Sequence, residues 1–422
     1  MPVAATKLET MKNGPPRARL LDVTRLLRRA GRVATGIDRV EAAYLDHLLQ
    51  DDVPLFGVAR TTLGYALLDR QGMQGFRDRI AGEIPWGSPD ALSWASRRLS
   101  LDQEQAQADL RRLSVKRCLP QRLGRMLKQK LPAGTVYFNV GHSNLTDRVL
   151  HALKHGLEAR IVVMIHDTIP LDFPHYQRVG TVDRFARMLE KVRGNSDLIL
   201  CNSHQTKADV ERHMAPNGTV PECIVGLLGV NVAIPQPIYM PEGFDQTCPY
   251  FVVLGTIEPR KNHALLLDIW DDLADGERPP QLVICGNRGW NNETVFGRLD
   301  KWSARNGPVF ELQGLSDGQV SGLLQGSAGL LFPSHAEGYG LPPLEALALG
   351  APVICSDLPV CRELLGENAV YADVNDRYSW QRNITKLATC WQADKRASQS
   401  QMARFVPPSW ETHFKQVFRL AL

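Results

Sequence analysis

The chain has 422 residues, 44% hydrophobic and 22% charged, with a formal net charge of +4. That length exceeds one ordinary core and suits two domains of about 150–200 residues; the composition excludes a disordered chain, and the mild charge does not call for nucleic acid as a partner. Eight cysteines (118, 201, 223, 248, 285, 355, 361 and 390) are scattered without a C-x-x-C pair. This spacing argues against a zinc site or disulfide framework and for a reducing cytosol. No apolar run approaches the roughly 20 residues needed to cross a bilayer, and residues 1–19 lack the apolar core of a secretory signal.

In chain order, residues 1–18 read as a disordered leader, with Pro15 and Pro16 among small and polar residues. Residues 19–235 form a first domain. Leu20 to Val23 resemble its opening strand, and Thr35 and Gly36 lead into the helical periodicity of residues 40–48. A glycine loop entering a helix there can receive phosphate, although a plain turn accounts for Gly36 equally well. Residues 53–69 alternate as one or two strands around a turn at Thr61, Thr62 and Gly64. Residues 85–130 carry leucines at helical spacings, and residues 97–130 are strongly basic. A basic amphipathic helix can lie on an anionic membrane or approach a polyprenyl-diphosphate acceptor, and a solvated helix face explains the charge as well. Further strands are expected at 136–140, 161–165, 198–201 and 224–230. His166 and Asp167 sit where the strand 161–165 should end, the position at which doubly wound sheets bind ligands. Ser203 reads as a helix cap.

Residues 233–245, with three prolines, read as a linker. A second domain, 246–405, opens with the strand 250–254 and runs into Gly255-Thr256-Ile257-Glu258-Pro259-Arg260-Lys261. Two adjacent cations after a strand can neutralise a diphosphate leaving group without a metal. Gly329 to Phe332 form a buried strand, followed by Pro333-Ser334-His335-Ala336-Glu337-Gly338-Tyr339-Gly340-Leu341-Pro342-Pro343-Leu344-Glu345-Ala346. Gly338 and Gly340 permit a tight turn close to a ligand. The two prolines suit the first turn of a helix that stops at Gly350. A helix start accepts an anion, and Glu337 and Glu345, eight positions apart, bracket that site. They could hold hydroxyl groups on either side of a diphosphate. Taken singly, Glu345 is a favourable first-turn acid and Glu337 a solvated loop charge. Residues 406–422 read as a closing helix.

The segment 333–346 closely resembles the signature of glycosyltransferase family 4, the retaining, nucleotide-sugar-dependent enzymes of the GT-B fold. The resemblance extends over about 250–405, and more weakly over 20–45 and 161–230. It implies two doubly wound Rossmann-like α/β domains facing a cleft, with the last helix crossing back onto the first. It implies Glu337 at the donor sugar, Glu345 at the ribose, and Arg260 and Lys261 at the departing diphosphate. His166 would approach the sugar, and His166, Arg260, Lys261 and Glu337 form the expected catalytic set. Thr35, Gly36, Gly255, Gly338, Tyr339, Gly340, Leu341 and Glu345 form the expected donor-binding set, and residues 314–317 lie against the base. Neither a metal nor a separate cofactor is expected. The partners implied are a nucleoside-diphosphate sugar and a glycan or polyprenyl-linked acceptor, in the cytoplasm or at the inner face of the membrane. The wording around Glu345 and in Ser356-Asp357-Leu358-Pro359 looks most like bacterial mannosyl- or rhamnosyltransferases of surface polysaccharide synthesis, which points to GDP-mannose. Two other readings compete: a non-catalytic sugar-nucleotide-binding subunit, and a GT-B hydrolase or epimerase.

Overall fold

The computed structural model describes residues 16–93, 99–393 and 405–421. The expected leader therefore lies, for residues 1–15, outside the described residues, as do Trp94, Arg97 and Arg98. The first sheet comprises β1 (Arg19–Asp22), β2 (Leu55–Thr61), β3 (Gly64–Leu68), β4 (Lys116–Cys118), β5 (Val136–Asn139), β6 (Arg160–Ile165), β7 (Leu198–Cys201) and β8 (Glu222–Val225). Its strand order is β4-β3-β2-β1-β5-β6-β7-β8. From β1 to β8 it is parallel, and β3 and β4 extend it antiparallel beyond β2. The second sheet comprises β9 (Tyr250–Leu254), β10 (Gln281–Cys285), β11 (Val309–Leu312), β12 (Gly329–Phe332), β13 (Val353–Ser356) and β14 (Val370–Ala372), in the order β11-β10-β9-β12-β13-β14. This is the doubly wound order, with both faces covered by helices and strands that are continuously apolar for that reason. Strand order reverses between β1 and β5 and again between β9 and β12. Ligand crevices are expected at those two points, and the two face each other.

Two local readings change. The basic segment is not one amphipathic helix: Leu101–Leu113 is a helix, Lys116–Cys118 is the edge strand β4, and Leu123–Lys130 is a second helix. Arg111 turns inward and its Nε donates to Asp90 at 2.7 Å, while Arg112 pairs with Asp109 at 2.6 Å. The last strand of the first sheet ends at Val225 instead of Val230. A Cβ at Gly226 would stand 3.0 Å from both His413 and Val417, so the chain leaves the sheet where the closing helix presses on it. That helix, Trp410–Ala421, lies on the first domain. Tyr44 Oη is 2.9 Å from His413 Nε2, the Phe414 ring stacks on His47 with centroids 3.8 Å apart, and Arg19 lies 4.4 Å over Phe418. Among the described residues no helix is long and apolar enough to cross a membrane. All eight cysteines are free thiols, six of them buried.

Candidate functional site

β9 runs into Gly255, whose φ of +128° is a conformation only glycine adopts freely. A Cβ at Gly286 would stand 2.0 Å from the Gly255 carbonyl oxygen, so the loops after β9 and β10 are pressed together. The single helical turn Pro259–Lys261 then presents both cations to the end of β12. Arg260 pairs with Glu258 at 2.7 Å and with Glu337 at 3.0 Å, and donates to the Ala336 carbonyl at 2.6 Å. Lys261 Nζ meets the other Glu337 oxygen at 2.5 Å and lies 4.9 Å above the Phe332 ring. Burial by itself would raise the Glu337 carboxyl, but Arg260 and Lys261 outweigh it and hold the group down to about 2. Burial lowers the Lys261 ammonium, and the Glu337 charge opposes that shift. The Ser334 hydroxyl is fully buried beside Glu337 and helps to hold its carboxyl down.

After Glu337 the loop touches the opposite domain. A Cβ at Gly338 would stand 2.4 Å from the His166 carbonyl oxygen and 2.7 Å from Asp167 Cβ, and the Gly338 carbonyl accepts from Thr206 Oγ1 at 3.2 Å. Tyr339 is buried, and its hydroxyl donates to the Leu228 carbonyl at 2.7 Å, away from the cleft and toward the segment joining the domains. Gly340, at φ +100°, starts the helix Leu341–Ala348. Because Pro342 and Pro343 carry no N–H, the free donors at this helix start are reduced to the backbone ahead of them. Glu345 is not in the first turn, as the sequence reading had it. It is the fifth residue of the helix, and Arg39 of the first domain binds it at 2.7 Å while reaching Asp317 at 2.5 Å. Burial raises the Glu345 carboxyl, and Arg39 opposes it.

The first domain brings a second helix start to the same place. Thr35 caps Gly36–Gln50 in a reciprocal arrangement with Asp38: the Thr35 N–H donates to Asp38 Oδ2 at 2.7 Å, and Arg25 and Arg29 reach the same carboxylate at 2.7 and 2.8 Å. A Cβ at Gly36 would stand 3.6 Å from Leu341 Cδ1, so the two helix starts confront each other across the cleft. Beside them His166 Nε2 donates to the Val140 carbonyl at 2.7 Å, and His142 Nε2 to the Met164 carbonyl at 2.8 Å, with ring centroids 5.0 Å apart. Those bonds fix the tautomers and leave each Nδ1 as an acceptor. Burial pushes His166 down to about 4 and His142 to about 3, assisted by the nearby Arg25 charge, so both are neutral at pH 7. Asp167 is raised by burial, with Arg260 opposing.

The structure thus gathers His166, Arg260, Lys261, Glu337, Gly338, Gly340, Leu341, Thr35, Gly36 and Gly255 around one crevice. Glu345 stands one helical turn further along, and the Tyr339 hydroxyl points elsewhere. Four residues on the first-domain side were not singled out from sequence. His142 is one. Asp22, at the end of β1, accepts from Tyr137 Oη at 2.9 Å and Asn144 Nδ2 at 2.8 Å, and burial raises its carboxyl. Glu41 is fully buried, with Oε2 unpartnered, and Gly141 is required beside it because a Cβ there would stand 2.2 Å from that oxygen. Arg39 completes the four. Among the described residues no group of three His, Cys, Asp or Glu side chains could hold a metal ion. Chemically the crevice offers two partly buried cations and two helix starts to an anion. Beside them it sets an ionised carboxylate and neutral imidazole acceptors for hydroxyl groups.

Comparison with known proteins gives this arrangement a context. Residues 240–404 match the family model of glycosyl transferases group 1. The serotype-specific mannosyltransferase WbdA of Escherichia coli is 30% identical over 223 residues, 49% of this chain and 27% of that protein. The O-antigen chain mannosyltransferase B of E. coli is 28% identical over 236 residues, 53% of this chain and 60% of the other. The chain therefore spans between about a quarter and three fifths of the lengths of these two relatives. Among solved structures, sucrose-phosphate synthase from Thermosynechococcus elongatus superposes with a TM-score of 0.66 at 13% identity, covering 96% of this chain and 98% of that one. HepE of Anabaena, solved in complex with UDP-glucose, gives 0.62 at 11% identity over the same shares. The chain has the GT-B fold, and its second domain is similar to the glycosyl transferases group 1 family.

Proposed function

We propose that the chain transfers a hexosyl group, mannose first among candidates, from a nucleoside-diphosphate sugar to a glycan hydroxyl in bacterial surface polysaccharide synthesis, with retained anomeric configuration. The observation that carries this reading is the largely buried trio of Glu337, Arg260 and Lys261, at 3.0 and 2.5 Å, between the strand ends of the second domain and the His166 strand end of the first. Arg260 and Lys261 stabilise the negative charge that builds on the departing diphosphate, in a site where few waters compete. The backbone N–H groups at Gly340 and Leu341, and the helix start at Gly36, add partial positive charge on either side. Glu337, ionised, accepts hydrogen bonds from hydroxyls of the donor sugar, and neutral His166 offers Nδ1 to another. Glu345 is the residue best placed on its helix for the ribose, once Arg39 shares it. The named mannosyltransferases among the relatives support mannose, and GDP as its carrier is our reading of that likeness.

A donor screen tests this. GDP-mannose, dTDP-rhamnose, UDP-glucose and UDP-N-acetylglucosamine are titrated by calorimetry and assayed for turnover with glycan acceptors. One donor should bind and be consumed, and Lys261→Ala should lower turnover by about 10²–10³-fold, the usual loss for one donor to a developing anion. Binding without consumption by any acceptor would favour a non-catalytic subunit, and no binding would remove the donor site altogether.

The pH profile is a second test. His166 is held near 4 and His142 near 3, both below the ordinary histidine value of about 6.5, so each stays neutral until the pH falls toward those numbers. kcat/KM should therefore run flat through pH 6.5 and fall only toward pH 4–5 as His166 gains its proton. An inflection near 6.5 that disappears in His166→Gln would show an exposed, ordinary imidazole instead.

A further inference from the structure

A second cavity, of about 290 Å³, opens on the first domain beside His142, the histidine whose ring lies 5.0 Å from His166. Its volume is at the lower end of the range of about 300–1,000 Å³ for small-molecule sites. Arg28 and Arg60 line one wall, and Arg184, Arg187 and Lys191 line the other. The second group comes from one helix, Thr181–Asn195, where spacings of three and four residues put all three on a single face. Lys191 is paired, to Asp147 at 2.9 Å. Among the described residues none of these four arginines forms an ion pair with a carboxylate, whereas arginines elsewhere, such as Arg193, Arg212 and Arg362, do. Four guanidinium groups gathered around one concavity repel each other, an arrangement that costs stability unless an anion completes it. The crowding is visible at Arg28, exposed yet held below the ordinary arginine value by partial desolvation and the neighbouring Arg60 charge, against the pull of the Asp22 carboxylate.

We propose that this cavity binds the phosphate or diphosphate group of the acceptor, so that the acceptor is a phosphate-bearing glycan whose attacked hydroxyl lies close to its anionic end. The inference rests on the transferase reading, since it assigns the second substrate of that site. Guanidinium is the group suited to it: its planar fork meets phosphate oxygens in pairs, and it stays charged at any working pH. Because His142 lines this cavity and its ring lies 5.0 Å from His166, an acceptor anchored here presents its near end to the donor sugar, and a long glycan extends outward. The donor diphosphate has its own cations, Arg260 and Lys261, in the other domain.

The test uses the full chain saturated with GDP, which blocks the donor crevice, and titrates inorganic diphosphate by calorimetry. Wild type should bind it, and more weakly as salt rises. Arg184→Ala/Arg187→Ala should lose at least tenfold in affinity, and Arg28→Gln/Arg60→Gln, on the opposite wall, should lose as much. All four arginines are exposed and their removal relieves mutual repulsion, so melting temperatures should be no lower than the wild type, and GDP affinity should match it. In turnover with the confirmed donor, a mannose phosphate and a polyprenyl-diphosphate-linked mannose in detergent are compared with methyl mannoside. Either phosphorylated acceptor should exceed the neutral one by tenfold or more in kcat/KM, with the advantage lost in both double variants. Preference for the soluble phosphate would assign a sugar phosphate, and preference for the lipid a membrane-borne acceptor. Diphosphate binding that the double variants leave intact, or equal use of methyl mannoside, overturns the proposal. Failure of GDP itself to bind overturns the choice of GDP as the donor's carrier instead, and the diphosphate titration of the double variants then still decides the cavity without it.

Discussion

Glu337→Gln is expected to bind GDP several-fold more tightly than the wild type while losing turnover by about 10²–10³-fold. In the donor-free protein the Glu337 carboxylate occupies both partly buried cations, Arg260 at 3.0 Å and Lys261 at 2.5 Å. An arriving diphosphate must compete with it for them. The amide keeps the volume and removes the competitor, so product binding improves. Turnover falls because the amide offers the sugar one neutral acceptor in place of a charged, two-oxygen one. Stability should change in the same experiment. Removing one partner of a buried ion pair costs about 3–5 kcal/mol, since the other charge is left uncompensated. The melting temperature of Glu337→Gln should drop and be restored by GDP more than that of the wild type. Weaker GDP binding in the variant would mean that the carboxylate helps to seat the diphosphate and does not contest it.

Gly338→Ala should give the second large effect, through a different route. A Cβ there would stand 2.4 Å from the backbone oxygen of His166, and backbone has no rotamer by which to yield. The residue lies in one domain and the obstacle in the other, so the strain is relieved by the domains parting, with each core left intact. We expect kcat/KM to fall by more than about 100-fold, the scale of loss when reacting groups are misplaced by about 1 Å. The melting temperature should move little beside that. Small-angle scattering in the presence of GDP should show the variant more extended than the wild type. Unchanged turnover would mean that this contact is dispensable and that the crevice works in a wider form.

The contrast between these two positions also explains what sequence could and could not disclose. Residues 329–357 were legible because one uninterrupted strand, loop, helix and strand carries most of the chemistry. The glycines, prolines and acids there stand at spacings that only one backbone path satisfies. The doubly wound sheets were legible too, since buried parallel strands are short apolar runs. Arg39 was not: its partner Glu345 is 306 positions away in the chain, and a charge pair across two domains leaves no local pattern. Tyr339 was assigned to the donor from its neighbours, yet its hydroxyl serves the Leu228 carbonyl, because the loop turns that ring away from the cleft. Edge strand β4 was read as helix because three residues containing Lys116 and Arg117 have no strand period to show. Arg184, Arg187 and Lys191 drew no reading from sequence, because only Arg28 and Arg60, brought opposite by the fold, make them a wall.

The closing helix has a mechanical consequence. The segment after β8 and the residues just before Trp410 lie side by side where the domains join. The Val230 N–H donates to the Pro408 carbonyl at 3.0 Å, and a Cβ at Gly229 would strike Trp410. Two adjacent, cross-bonded segments act as a hinge with a defined axis, where a single linker would allow the domains to twist and slide. Opening of the crevice is then a rotation about the Gly229–Trp410 edge. The faces at Gly338 and His166 separate and return in fixed register, so each closure rebuilds the same site.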